Sequence, residues 1–173
     1  MAYAIIAASI LLRFAPHPAD FSPVYAALLL SGAVVRKAHS ILFPLSVIMV
    51  SDLLLTPLVY RAPLGRGQAI TWMAFAATAL CGWLLRERLG LWRVAGVVLA
   101  GPTVFFLIAN FGVWATSGIY PHSFSGLTLC YLAALPFYGH AVASTCICGA
   151  LISALYFGWV KVSSMSAFRP QPR

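Results

Sequence analysis

The sequence predicts an all-α, polytopic membrane helical bundle of about six transmembrane segments, the first two short, with both termini in the cytoplasm. Three observations predict it. The chain is 62% hydrophobic and 8% charged, with a mean hydropathy of +0.93, whereas a soluble domain carries about 25% charged residues. It could not cover its own surface with polar groups, so the bilayer must be its solvent. Apolar runs of spanning length recur along the chain, broken by charges and by Gly and Pro. The 11 basic residues, set against 3 acidic ones, gather in short connections between those runs, as they do at the flanks of membrane spans. No basic patch interleaved with aromatics appears, which argues against a nucleic-acid partner.

The segments are, in order, roughly Met1–Phe14, Pro23–Val35, Ser40–Tyr60, Ala69–Leu85, Val94–Thr116 and Phe137–Val160. A full span takes about 20 residues, which the last four reach or approach. The first two are short and are joined by PHPADFSP. They form either two short tilted spans or one re-entrant hairpin, and in both cases the chain returns to the side it started from. No basic residue precedes the first apolar core and Arg13 follows it, unlike a signal peptide. Leu127–Leu135 predicts a further short helix, stopped by Pro136 before the final span. At 173 residues the chain makes one integral membrane domain, residues 1–160, followed by a basic cytoplasmic tail, 161–173.

Lys and Arg set the orientation. With the termini inside, eight basic residues (Arg36, Lys37, Arg86, Arg88, Arg93, Lys161, Arg169, Arg173) lie in the cytoplasm and three (Arg13, Arg61, Arg66) outside, as the positive-inside rule requires. Trp72 and Trp114 then fall near outer ends, and Trp83, Trp92 and Trp159 near inner ends, the headgroup levels that indole prefers. The outer loops APHPADFS, RAPLGRGQ and SGIYPHSFSG carry His17, Asp20, Tyr120 and His122 among prolines and glycines. A concave site is expected among these loops and the outer halves of the helices.

Asp52, in VIMVSDLLLTP, is the lone acid within a span. A central Asp costs roughly 2.5–3.5 kcal/mol on insertion, and each Leu, Ile, Val or Phe returns about 0.3–0.6, so the helix still inserts. The carboxyl must face the bundle interior or a wet cavity, with Thr56 one turn outward on the same face. No Lys or Arg lies mid-membrane in the sequence, so a protonated or solvated carboxyl is expected. Asn110, near Trp114, is the second polar residue in a span, and Gly101-Pro102 is expected to bend that helix. Both Asp52 and Asn110 have an alternative use as interhelical hydrogen-bond donors or acceptors. His17, His122 and His140 share no helical i, i+4 spacing, so no metal site is expected. The four cysteines sit within apolar segments and are expected to be small buried side chains. There is no GxSxG, HExxH or Walker loop and there are no carboxylates paired at helical spacing; no enzyme activity and no cofactor are expected.

RFAPHPADFSPVYAALLLSG, FPLSVIMVSDLLL, NFGVW and GLTLCYLAALPF, in this order, resemble an uncharacterised family of small bacterial membrane proteins to which transport has been ascribed. The similarity runs from about Arg13 to Gly158. More loosely, the chain resembles the substrate-binding subunits of energy-coupling-factor vitamin transporters. That resemblance implies a multi-pass protein of the bacterial inner (cytoplasmic) membrane, with a vitamin-like, partly apolar substrate taken up from the outer face. It also implies a membrane coupling subunit and a cytoplasmic ATPase as partners. Asp52, Thr56 and Asn110 would contact the substrate. His17, Asp20, Trp114, Tyr120 and His122 would shape the mouth, and Ala4 and Ala8 would dock the coupling subunit. Related sequences often carry Asn in place of Asp20 and an acid early in the last helix, where this chain has Ser144 and Thr145. That departure weakens a proton relay between two acids. The alternative is a non-transporting structural or assembly subunit of a membrane complex. A membrane enzyme using His17 and Asp20 on a lipid-like substrate is a third, weaker possibility.

Overall fold

The computed structural model describes residues 1–15, 22–58 and 65–167. These form six α-helices: α1 (Ala2–Leu11), α2 (Val24–Val34), α3 (Lys37–Leu58), α4 (Gln68–Cys81), α5 (Leu91–Thr116) and α6 (Phe124–Ala167). Single 3₁₀ turns, Leu12–Phe14 and Gly82–Leu85, extend α1 and α4. Among the described residues four helices are long and apolar enough to cross a membrane: Lys37–Leu58, Gln68–Leu85, Leu91–Thr116 and Phe124–Ser164. The expected helical membrane bundle, with its first two segments short, is the observed one.

Helix α2 is the axis of the bundle. Every residue from Val24 to Gly32 is buried, and α1, α3, α4, α5 and α6 all pack around it. A lipid-facing helix buries one stripe, so nine consecutive buried positions mean that α2 touches little but protein. Its small residues let neighbours approach to backbone contact, which is how helices pack tightly in lipid. Gly32 and Gly82 form the closest crossing. A Cβ on Gly32 would lie 2.8 Å from the Gly82 Cα and overlap the Ala79 carbonyl; one on Gly82 would overlap the Leu29 carbonyl.

The α1–α2 pair enters and leaves at one end. Tyr3 Oη lies 3.0 Å from His39 Nδ1 near the start of α3, while Arg13 reaches Asp52, so α1 runs parallel to α3. Helix α2 begins at a layer of rings: Tyr25 packs on Phe105 at 5.1 Å and on Phe75 at 6.4 Å. Phe75 lies seven residues, or about 10 Å, into α4. From there α2 runs back to Val35, beside Arg86. Its 11 residues measure about 16 Å, about half the hydrocarbon thickness. Both expected arrangements return the chain to its starting side, as this antiparallel pair does. The end bearing Arg36, Lys37, Arg86, Arg88 and Arg93 is called the basic end below, and the end holding Asp52 the distal end.

Helix α6 departs from expectation. The short helix Leu127–Leu135 and the span Phe137–Val160 are one helix of 44 residues that passes through Pro136 and continues to Ala167. Pro136 is exposed, and both of its flanks hold the same partner. Cys130 Sγ and Tyr131 Oη donate to the Asn110 and Leu107 carbonyls at 3.4 and 2.6 Å, and Tyr138 Oη meets Thr103 Oγ1 at 2.9 Å. Docking on α5 from both sides carries the helix across the proline. Helix α5 likewise runs unbroken through Pro102. Gly101 there lies against the Leu29 side chain, with its carbonyl 3.4 Å from Thr78 Oγ1.

Candidate functional site

Asp52 is 5% exposed and has a cationic partner, Arg13, where the sequence expectation had it without one. Arg13 Nη1 lies 2.8 Å from Oδ1, and Oδ2 accepts from Gln68 Nε2 and Trp72 Nε1, each at 2.8 Å. Arg13 Nη1 also donates to Ser51 Oγ at 3.0 Å. The sequence places Arg13 at the end of the first apolar segment. The 3₁₀ turn and the long arginine stem bring its guanidinium back to the depth of Asp52. The cluster ties the end of α1 to α3 and α4. A buried carboxylate with three donors is satisfied where it stands.

The remaining expected contacts are divided. Thr56 is half-buried on α3, one turn beyond Asp52. Asn110 turns back on its own helix, with Nδ2 donating to the Phe106 carbonyl at 2.8 Å. Trp114 Nε1 donates to the Pro121 carbonyl at 2.9 Å, and its ring meets those of Phe111 and His122 at 5.5 and 5.4 Å. His122 is exposed and Tyr120 half-buried in the α5–α6 turn. Asp52 therefore belongs with α1 and α4, whereas Asn110 and Trp114 belong with α5 and its turn. His17 and Asp20 lie outside the described residues. Ala4 and Ala8 are exposed on α1. Among the described residues no group of three His, Cys, Asp or Glu gathers to hold a metal.

A cavity of about 880 Å³ lies elsewhere, between α2, α5 and α6, with Leu85–Leu89 across its basic end. A site among the outer halves of the helices was expected; this cavity is in the other half. Packing explains the location. At the distal end α4 and α5 touch closely, where a Cβ on Gly112 would lie 2.7 Å from Ile70. At the basic end α5 and α6 part. Up to Tyr138, α6 is bonded to α5; beyond it Ala141, Ser144, Thr145 and Ile152 are buried, and Gly149 packs near Ala26 on α2. The residues left facing the gap are small: Ala26 and Ala33 on α2, Ala95 on α5, and Cys146, Gly149, Ala150 and Ser153 on α6. They are too short to fill it. Val94, Val98, Tyr156 and Phe157 complete an apolar wall, and Arg86, Glu87 and Arg88 form the rim. Cys146, expected buried, is exposed here.

A polar network at the basic end holds the rim. Ser31 Oγ donates to the Ser40 carbonyl at 2.9 Å, and Ser40 Oγ donates to the Lys37 carbonyl at 2.7 Å. Trp83 Nε1 donates to Ser40 Oγ at 2.9 Å. Over the Trp83 ring sit Lys37 Nζ at 5.6 Å and the Arg86 guanidinium at 5.7 Å, within cation–π range. Arg86 Nη2 donates to the Val35 carbonyl, while its Nε is buried with no partner among the described residues. On the sequence, Arg86, Arg88 and Arg93 read only as basic flanks of membrane spans. The signal that sequence reasoning passed over was the small residues of α2 and α6, which forecast a gap only once the two helices are known to face each other. No curated protein and no solved structure matches the chain. A family model matches residues 1–168, nearly the whole length, and the chain belongs to that family, DUF6580, a family of unknown function.

Proposed function

We propose that the chain is a binding subunit of a membrane transport system that holds a small, partly apolar molecule in the cleft between α2, α5 and α6. The carrying observation is the cleft itself. Its volume of about 880 Å³ falls within the roughly 300–1,000 Å³ of small-molecule pockets, which are mostly apolar with a few placed polar groups. Ser153 and the charged rim supply those groups here. The ligand thus sits at the basic end, while Asp52 and its partners brace the distal end. With the positive-inside orientation the cleft lies toward the cytoplasm. Motion of the ligand would need an energised partner, since the sequence carries no nucleotide-binding loop.

Mass spectrometry of small molecules that co-purify in mild detergent tests this. A compound present near one per chain in the wild type and lost in Ala150→Trp, at equal yield of folded protein, is the expected result. The same profile for both proteins would reject the cleft as its site. The assembly-subunit alternative draws on a different observation: Asp52, Ser31, Ser40 and Trp83 all bond between helices, as packing residues do. A stable larger complex on blue-native electrophoresis, together with an empty cleft, would favour it.

A further inference from the structure

We propose that the occupant of the cleft is a phospholipid drawn sideways from the leaflet at the basic end. Its phosphate would lie against Arg86 and Arg88, and an acyl chain would lie between α5 and α6. This rests on the cleft being a binding site and names the ligand class.

Two features point to lipid. The first is the side opening. Leu91 and Ala95 on α5, and Cys146 and Ala150 on α6, line the cleft and are themselves exposed. They continue into Leu99, Ile147 and Leu151, which are 50%, 53% and 62% exposed. On spanning helices such apolar surface meets acyl chains, so a lipid tail passes from bilayer to cleft without crossing water.

The second feature is charge. Arg86 commits Nη2 to the Val35 carbonyl and lies over Trp83, so the guanidinium is held in place. Its Nε–H is buried and has no partner among the described residues. That donor is closed off from the cleft, so a phosphate would meet the part of Arg86 that lines the rim, where the guanidinium charge is incompletely paired. Arginine matches phosphate through several parallel N–H groups. Arg88 adds a second positive charge. Glu87 on the same rim repels an anion but attracts an ammonium, so a head bearing both groups suits the Arg-Glu-Arg sequence better than a purely anionic head.

The test uses the full chain in detergent, carrying Cys81→Ala, Cys130→Ala and Cys148→Ala so that Cys146 is the remaining thiol. The protein is delipidated, then supplied with phosphatidylethanolamine, phosphatidylglycerol or no lipid. Native mass spectrometry reads bound lipid, and N-ethylmaleimide reads access to Cys146. The expected result is one phosphatidylethanolamine per chain, retained more tightly than phosphatidylglycerol, with Cys146 labelling slowed at least about fivefold. Arg86→Gln and Arg88→Gln should each reduce retention about tenfold, and Ala150→Trp should abolish it. Because Arg86 also holds Val35, Arg88→Gln serves as the variant with no such structural bond, and Arg86→Lys should restore part of the retention. Rapid labelling of Cys146 unaffected by either lipid overturns the phospholipid proposal. A co-purified non-lipid compound displaced by Ala150→Trp, with no lipid bound, overturns it while leaving the binding-subunit proposal standing. A Cys146 that never reacts, even without lipid, means a closed cleft and defeats both.

Discussion

Replacing Asp52 with Asn should destabilise the fold, and the size of the effect follows from its surroundings. The carboxylate meets three donors at 2.8 Å, one of them the Arg13 guanidinium. Asn keeps one acceptor oxygen and turns the other into a donor, so either Arg13 or the Gln68–Trp72 pair faces an N–H. Neutral hydrogen bonds between membrane helices average only about 0.6 kcal/mol. Removing one member of a buried ion pair costs about 3–5 kcal/mol because the other charge stays behind. The Arg13 side chain is 19% exposed and keeps some water, which puts the expected loss near the lower bound, about 3 kcal/mol. Arg13→Met/Asp52→Leu removes both charges and should return to within about 1 kcal/mol of the wild type. Reversible unfolding in mixed detergent–SDS micelles, with Arg13→Met and Asp52→Leu as the single variants of a double-mutant cycle, measures the coupling. Single-variant losses that simply add in the double variant would show that the pair contributes nothing, and the account of Asp52 as a brace would fail. Substrate contact alone would instead leave stability unchanged in Asp52→Asn.

Gly32→Leu and Gly82→Leu should each prevent stable folding, since even a Cβ overlaps the opposing backbone; monodispersity on size-exclusion chromatography checks this. Pro136→Ala should be neutral or stabilising, because the proline sits exposed inside a continuous helix where it removes a backbone bond; a lower midpoint in SDS unfolding would contradict it. Trp83→Phe removes the indole donor to Ser40 and should cost about 0.6 kcal/mol, with the same unfolding assay as readout. Tyr138→Phe should cost about as much by losing the hydroxyl contact to Thr103.

The class, the four long spans and the two short leading segments were legible because they depend on composition and run length. Asp52 was legible as a buried acid; its partner was not. Arg13 is close to Asp52 only because α1 runs parallel to α3, a long-range relation that spacing along one chain does not encode. The break expected at Pro136 failed for a similar reason: local propensity favours a stop, and docking of Tyr131 and Tyr138 on α5 overrides it. The cleft was the least visible feature. Small residues at 145–153 read equally well as a tight interface, and they become a gap only where α6 leaves α5.

The burial of α2 has a consequence for biogenesis. An 11-residue apolar helix is too short to be threaded across the bilayer as an independent unit, and its neighbours are supplied by every later segment of the chain. Ribosomal synthesis delivers α2 early and α6 last. The amino-terminal pair therefore gains its full set of packing partners only once the last of the longer helices is in place.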